Sequence, residues 1–120
     1  MDRYINSRET FKFIFFISYL IILINSEDDM PIIYYLGDLL SEKIGISASA
    51  SRGLIKLSIK EEFGPFKPIS DIGIREYQDT FNNSLKKRLQ DLKISNSEEI
   101  VNLLLKELIT HQSLITMEKI

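Results

Sequence analysis

From Ile32 onward, apolar side chains recur at steps of three and four residues, and glycines or prolines close most stretches. That recurrence restricts the chain to amphipathic helices packed on one another, because a half-buried strand would show a two-residue alternation. Ile32, Ile33, Leu36, Leu39, Leu40 and Ile44 mark a first helix. Asp29 is placed to cap it, Pro31 suits its first turn, where a missing N–H costs little, and Gly45 is placed to stop it. Gly37 weakens its middle. Ser47 predicts the cap of a second helix over residues 48–63, with Ala50, Leu54 and Leu57 as its stripe, joined by Ile55, Ile59 and Phe63. Gly64 and Pro65 end it. Phe66–Asp71 reads as a connector that Pro68 keeps out of a helix and that could pair as a short extended piece.

A third helix over residues 74–92 carries the longest stripe: Ile74, Tyr77, Phe81, Leu85, Leu89 and Leu92. A fourth starts at Ser95 or Ser97, with Ser95 and Glu98 at capping-box spacing. Its Ile100, Val101, Leu104, Leu105, Leu108 and Ile109 exceed what one face needs, which marks it as the central helix. Ser113–Met117 is apolar enough to pack as a tail. The expected fold class is all-α: a small four-helix bundle over residues 30–120, preceded by a short hydrophobic segment in residues 1–29.

A length of 120 residues leaves room for one domain. Cysteine is absent, which removes disulfides, zinc–thiolate sites and cysteine nucleophiles together. Residues 1–29 hold Arg3, Arg8 and Lys12 against Asp2, Glu9, Glu27, Asp28 and Asp29, so the remainder has twelve basic and twelve acidic side chains. A neutral body has no general attraction to a phosphate backbone, so nucleic-acid binding would need a local patch.

Phe13–Ile24 (FIFFISYLIILI) is an apolar run interrupted only by the hydroxyls of Ser18 and Tyr19. As a helix its twelve residues span about 18 Å, short of the roughly 30 Å of a bilayer core. The length suits the hydrophobic region of a signal peptide. Three readings stand: a targeting or anchoring segment, a core element, or upstream sequence ahead of a true start at Met30. The first predicts a membrane-associated or exported protein, with a membrane contact through Phe13–Ile24. A start at Met30 predicts a cytoplasmic one.

Gly37–Lys56 (GDLLSEKIGISASASRGLIK) resembles a helix-turn-helix motif. Leu40, Ile44, Ile46 and Leu54 occupy positions where the motif wants apolar residues, Ser41 the position where it wants a small one, and Gly45 its turn glycine. Ser51 departs from the pattern at a further apolar position. The resemblance covers about twenty residues, counted by the motif's length. It implies that the start of the second helix enters the major groove, with Ser47, Ser49, Arg52 and Lys56 facing bases or phosphates. Lys86, Lys87 and Arg88 form the dense basic run of the body and are candidate contacts for nucleic acid or an acidic partner. Arg52, Lys56, Lys60 and Lys67 would extend it if the second and third helices lie side by side.

His111 is the one histidine. A helix-end position suits it, since a cation there meets the negative end of the helix dipole. The sequence has no glycine-rich phosphate loop, no Gly-x-Ser-x-Gly elbow and no calcium-loop pattern. The expectation is therefore no enzyme, no catalytic or metal-ligating set and no cofactor. The expected function is a small non-enzymatic interaction or regulatory module, with a protein partner or self-association through the extra apolar face of the fourth helix. The alternatives are a helix-turn-helix DNA-binding protein and a membrane-tethered or exported helical domain.

Overall fold

Pro31 fixes the backbone for a first helical turn, and the computed structural model, which describes residues 30–116, begins its first helix there. Helix α1 (Pro31–Ile44) ends at Gly45, whose backbone is left-handed at φ 73° and whose N–H returns to the Ser41 carbonyl. Glycine takes that conformation without a Cβ penalty. Met30 rather than Asp29 stands at the cap of α1, with no side-chain capping bond. Helix α2 (Ala48–Phe63) opens on Ser47, whose hydroxyl accepts the Ala50 N–H at 3.1 Å. Gly64, at φ 94°, closes it.

The segment after Pro68 is a 3-10 turn, Ile69–Asp71, rather than an extended piece, and no strand occurs among the described residues. The third helical stretch is continuous but not uniform. Helix α3 (Ile74–Thr80) widens into a π-helical turn, Phe81–Leu85, and resumes as α4 (Lys86–Asp91). The stripe Tyr77, Phe81, Leu85, Leu89 advances by fours. In a regular α-helix each such step rotates the side chain about 40° off the face. The wider π turn absorbs that drift, and all four residues are buried. Leu92, expected in the same stripe, lies beyond the helix end and is 56% exposed.

Lys93 then takes a left-handed φ of 62°. The Ile94 N–H reaches the Leu89 carbonyl at 3.0 Å and the Lys93 N–H reaches Gln90 at 2.9 Å, a Schellman stop built on lysine instead of glycine. Helix α5 (Ser97–Thr110) starts at Asn96 with no side-chain capping bond, so neither Ser95 nor Ser97 caps it as expected. The tail forms α6 (Ser113–Thr116), which packs on α1 through buried Ile115.

The described residues thus form a compact all-α domain in which α1 lies against α2, α2 against the π turn, and α5 against α1 and the π turn. Ile32, Ile33, Leu36 and Leu40 of α1 meet Ile55 and Ile59, the Tyr77–Leu89 stripe, and Ile100, Val101, Leu104 and Leu108 in one core. Each such side chain, fully buried, contributes about 1.5–3 kcal/mol. Helix α2 is the most enclosed. Ser51, Gly53, Ile55, Lys56, Leu57, Ser58 and Ile59 are all buried. Helix α5, expected to be central, packs on α1, α3, the π turn and α4 and sends Ile100, Val101, Leu104 and Leu108 into the core.

No helix among the described residues is long and apolar enough to cross a membrane. For the described residues this corrects the expected membrane contact and the membrane-associated localisation tied to it. Phe13–Ile24 itself lies outside the described residues.

Candidate functional site

The absence of a side chain at Gly37 lets α2 approach α1 closely. A Cβ on Gly37 would lie 2.5 Å from Arg52 Cγ, so Gly37 is where the Arg52 stem crosses α1. The Arg52 guanidinium then turns back over the Tyr34 ring, 4.7 Å from its centroid, and reaches Asp38 at 3.6 Å. It also donates to Ser49 Oγ at 3.3 Å. Ser47 is engaged in its capping bond. Lys56 is only 5% exposed. Of the four candidate residues on α2, two are tied into local bonds with each other, one serves the helix end and one is buried.

Two of the three residues of the second basic group are also paired. α2 and the third helical stretch do lie side by side, but the seam between them is acidic. Arg88 donates from Nε and Nη2 to Glu61 at 3.1 and 3.0 Å. Glu62 accepts from Ser84 Oγ at 2.6 Å and from Asn83 at 3.3 Å. Lys86 pairs with Glu98 at 3.7 Å, and Lys87 is exposed. The basic residues do not merge into one surface, because Glu61 and Glu62 stand between them.

Two other constellations emerge. At the α1–α5 seam, Tyr35 Oη donates to Glu107 Oε1 at 2.5 Å, and the His111 ring stacks on Tyr35 with centroids 4.2 Å apart. His111 Nδ1 lies 3.5 Å from the same carboxylate. The bond to Glu107 first, and desolvation second, raise the Tyr35 pKa above its ordinary value. Glu107 and His111 stand four apart in sequence, a spacing that sequence reasoning did not pick out. Tyr35 comes from a distant helix and was not linked to them either. Among the described residues no group of three or more carboxylates and histidines gathers as a metal site.

The α2–α3 connector carries the other. Phe66 is 93% exposed between Pro65 and Lys67, with Pro68 two residues on. Both prolines fix φ. Lys60 Nζ donates to the Pro65 carbonyl at 3.2 Å and to the Lys67 carbonyl at 2.6 Å, clamping the chain on either side of Phe66. Partial desolvation lowers the Lys60 pKa. Lys67 pairs with Glu76 and its ammonium lies 5.3 Å from the Phe63 ring centroid. Glu76 in turn accepts the Gly73 N–H at 2.8 Å. At the opposite end of α2, Ile46, Ala50 and Leu54 face Leu92, Arg88 and Asp91 across an open, mainly apolar cleft of about 300 Å³.

Compared with protein-family models, curated proteins and solved structures, the chain matches none.

Proposed function

We propose that the chain is a non-enzymatic helical interaction module that engages a protein partner through Phe66. Its scaffold is a four-helix bundle when the bent third helix is counted as one rod. The carrying observation is a large aromatic at 93% exposure on a loop held by two prolines and a lysine clamp. Leaving such a side chain in water forgoes about 1.5–3 kcal/mol that burial would contribute. Fixing the loop beforehand reduces the ordering cost of binding. Buried aromatic anchors carry much of the energy of protein interfaces.

The test is comparative capture by the full chain and by Phe66→Ala, from extract of its own cells, with circular dichroism as the folding control. The expected result is a partner retained by the parent chain and lost from the folded variant. Identical retention by both would overturn the reading.

Helix-turn-helix DNA binding is the second reading, favoured by one observation: Gly45 and Ser47 adopt the turn and cap at the motif's own register. Burial of Lys56 and the pairing of Arg52 and Arg88 with carboxylates count against it. A DNA titration across salt decides. Affinity that falls steeply as salt rises would favour it, and no binding at low salt would end it.

A further inference from the structure

We propose that Lys60 is a latch that presents Phe66, and that neutralising its ammonium by acylation releases the ring. The inference rests on the reading of Phe66 as an anchor and names how that anchor is regulated.

The connector does little to hold itself. Pro65 and Pro68 bring no backbone N–H. Among the described residues, the Gly64 N–H returns to the Lys60 carbonyl at 2.8 Å and closes α2, and the next backbone bond runs from the Asp71 N–H to Pro68 at 3.0 Å. Phe66 stands between these two bonds. The carbonyls of both its neighbours, Pro65 and Lys67, accept from Lys60 Nζ at 3.2 and 2.6 Å. Among the described residues no carboxylate pairs with this ammonium, so its polar contacts serve the loop alone.

Donor count makes the latch sensitive to acylation. An ammonium has three N–H donors, whereas an acylated lysine keeps one and loses its charge. One neutral N–H cannot hold both carbonyls as the ammonium does, because charge-assisted bonds are the stronger kind. The Lys67–Glu76 pair does not involve Lys60, so release is confined to the stretch ahead of it. The acyl donor is a thioester. The neutral amine attacks its carbonyl carbon, the N–C bond forms, the C–S bond breaks, and the thiol leaves with a proton from nitrogen. Lys60 is half-buried, and partial desolvation lowers its pKa, which favours that neutral amine.

Chymotrypsin, which cuts after aromatics in chain free to extend, reads the latch on the full chain without any partner. The parent is compared with chains carrying Nε-acetyl-lysine at position 60, Lys60→Met or Lys60→Arg. Cleavage after Phe66 should rise at least about tenfold in the first two. It should stay closer to the parent in Lys60→Arg, which keeps charge and donors. Cleavage after Tyr34, 46% exposed within α1, should not change, and circular dichroism should show the fold intact. Phe66-dependent capture of a partner should fall in the same two forms, because the loop must then be ordered on binding.

Unchanged cleavage after Phe66 in the acetylated chain overturns the latch. An equal rise after Tyr34 marks general loosening and overturns it too. Capture that survives while the loop opens removes the regulatory role, and the proposal falls. Should Phe66→Ala leave capture intact, the interaction reading fails by itself, and the cleavage rates still judge the latch.

Discussion

Helices α2 and α5 reverse the order their compositions suggest. Helix α5 is rich in leucine and isoleucine, yet it buries one stripe of Ile100, Val101, Leu104 and Leu108 and leaves Ile109 exposed. Helix α2 opens on Ala48, Ser49, Ala50, Ser51 and carries two lysines, yet it is buried almost without break from Ser51 to Ile59. The difference teaches that enclosure follows how closely a helix can be approached. Small residues admit a neighbour's backbone, and Gly37 of α1 leaves the space that the Arg52 stem fills. Large apolar residues demand cover but do not create it.

The largest test of this contrast compares two isoleucines. Ile59→Ala on α2 removes a fully buried side chain and should cost about 2–5 kcal/mol in denaturant unfolding. Ile109→Ala on α5 should stay within about 0.5 kcal/mol, as surface changes do. Equal losses would erase the distinction between the helices.

Most of the scaffold was legible before any coordinates. Gly45, Ser47 and Gly64 stop, cap and stop as read, and the first and third helices fall where their stripes place them. Of the stripe read for α2, Leu57, Ile55 and Ile59 are buried and Leu54 and Phe63 pack against the core, whereas Ala50 is exposed and the first buried position is Ser51. A serine gives no apolar signal, and its Oγ is buried without a hydrogen-bond partner. Pattern reading also placed Leu92 in the core, since periodicity does not reveal that the helix stops at Asp91. The candidate basic residues were visible by type. Their neutralisation was not, because Glu61 and Glu62 meet Arg88 and Ser84 only when two helices are laid together. Phe66 was read as the start of a connector. Its exposure beside the Lys60 clamp is a feature of the folded loop that no spacing rule supplies.

A second test addresses the close approach itself. Gly37→Ala puts a methyl 2.5 Å from Arg52 Cγ and 3.4 Å from Arg52 Cα. Overpacking of this kind costs about 1–3 kcal/mol, against which alanine recovers about 1 kcal/mol of helix propensity. A net loss of about 1 kcal/mol is expected in chemical denaturation. A net gain would show that the α1–α2 contact yields readily and that small residues are not what encloses α2.

The two helix starts give a smaller contrast. Ser47→Ala deletes the bond to the Ala50 N–H and should destabilise by about 1 kcal/mol. Asn96→Ala, at a cap position with no side-chain bond, should change stability by no more than about 0.5 kcal/mol. Thermal unfolding of the two variants side by side checks this. A larger loss at Asn96 would mean that the start of α5 is held by its side chain after all.

The smallest effect concerns how α5 is tied to α1, and it is read in alkali. Tyr35, bonded to Glu107, and Tyr77, buried with an unpartnered hydroxyl, both have pKa values raised above their ordinary value near 10. Above that pH the unfolded chain loses phenolic protons that the folded chain keeps, so the unfolded state binds fewer protons and stability falls as pH rises. The contribution of each tyrosine is whole below pH 10 and is lost as pH climbs toward its folded value. Lys60 opposes this weakly, because its lowered pKa lets the folded chain release a proton first. Tyr77 governs the main fall, since burial sets its shift. In a Tyr77→Phe background the remaining alkaline slope should shrink again on Tyr35→Phe, measured as midpoint against pH. If that second substitution leaves the slope unchanged, the Tyr35–Glu107 bond does not hold α5 to α1, and α5 is fixed by its apolar stripe alone.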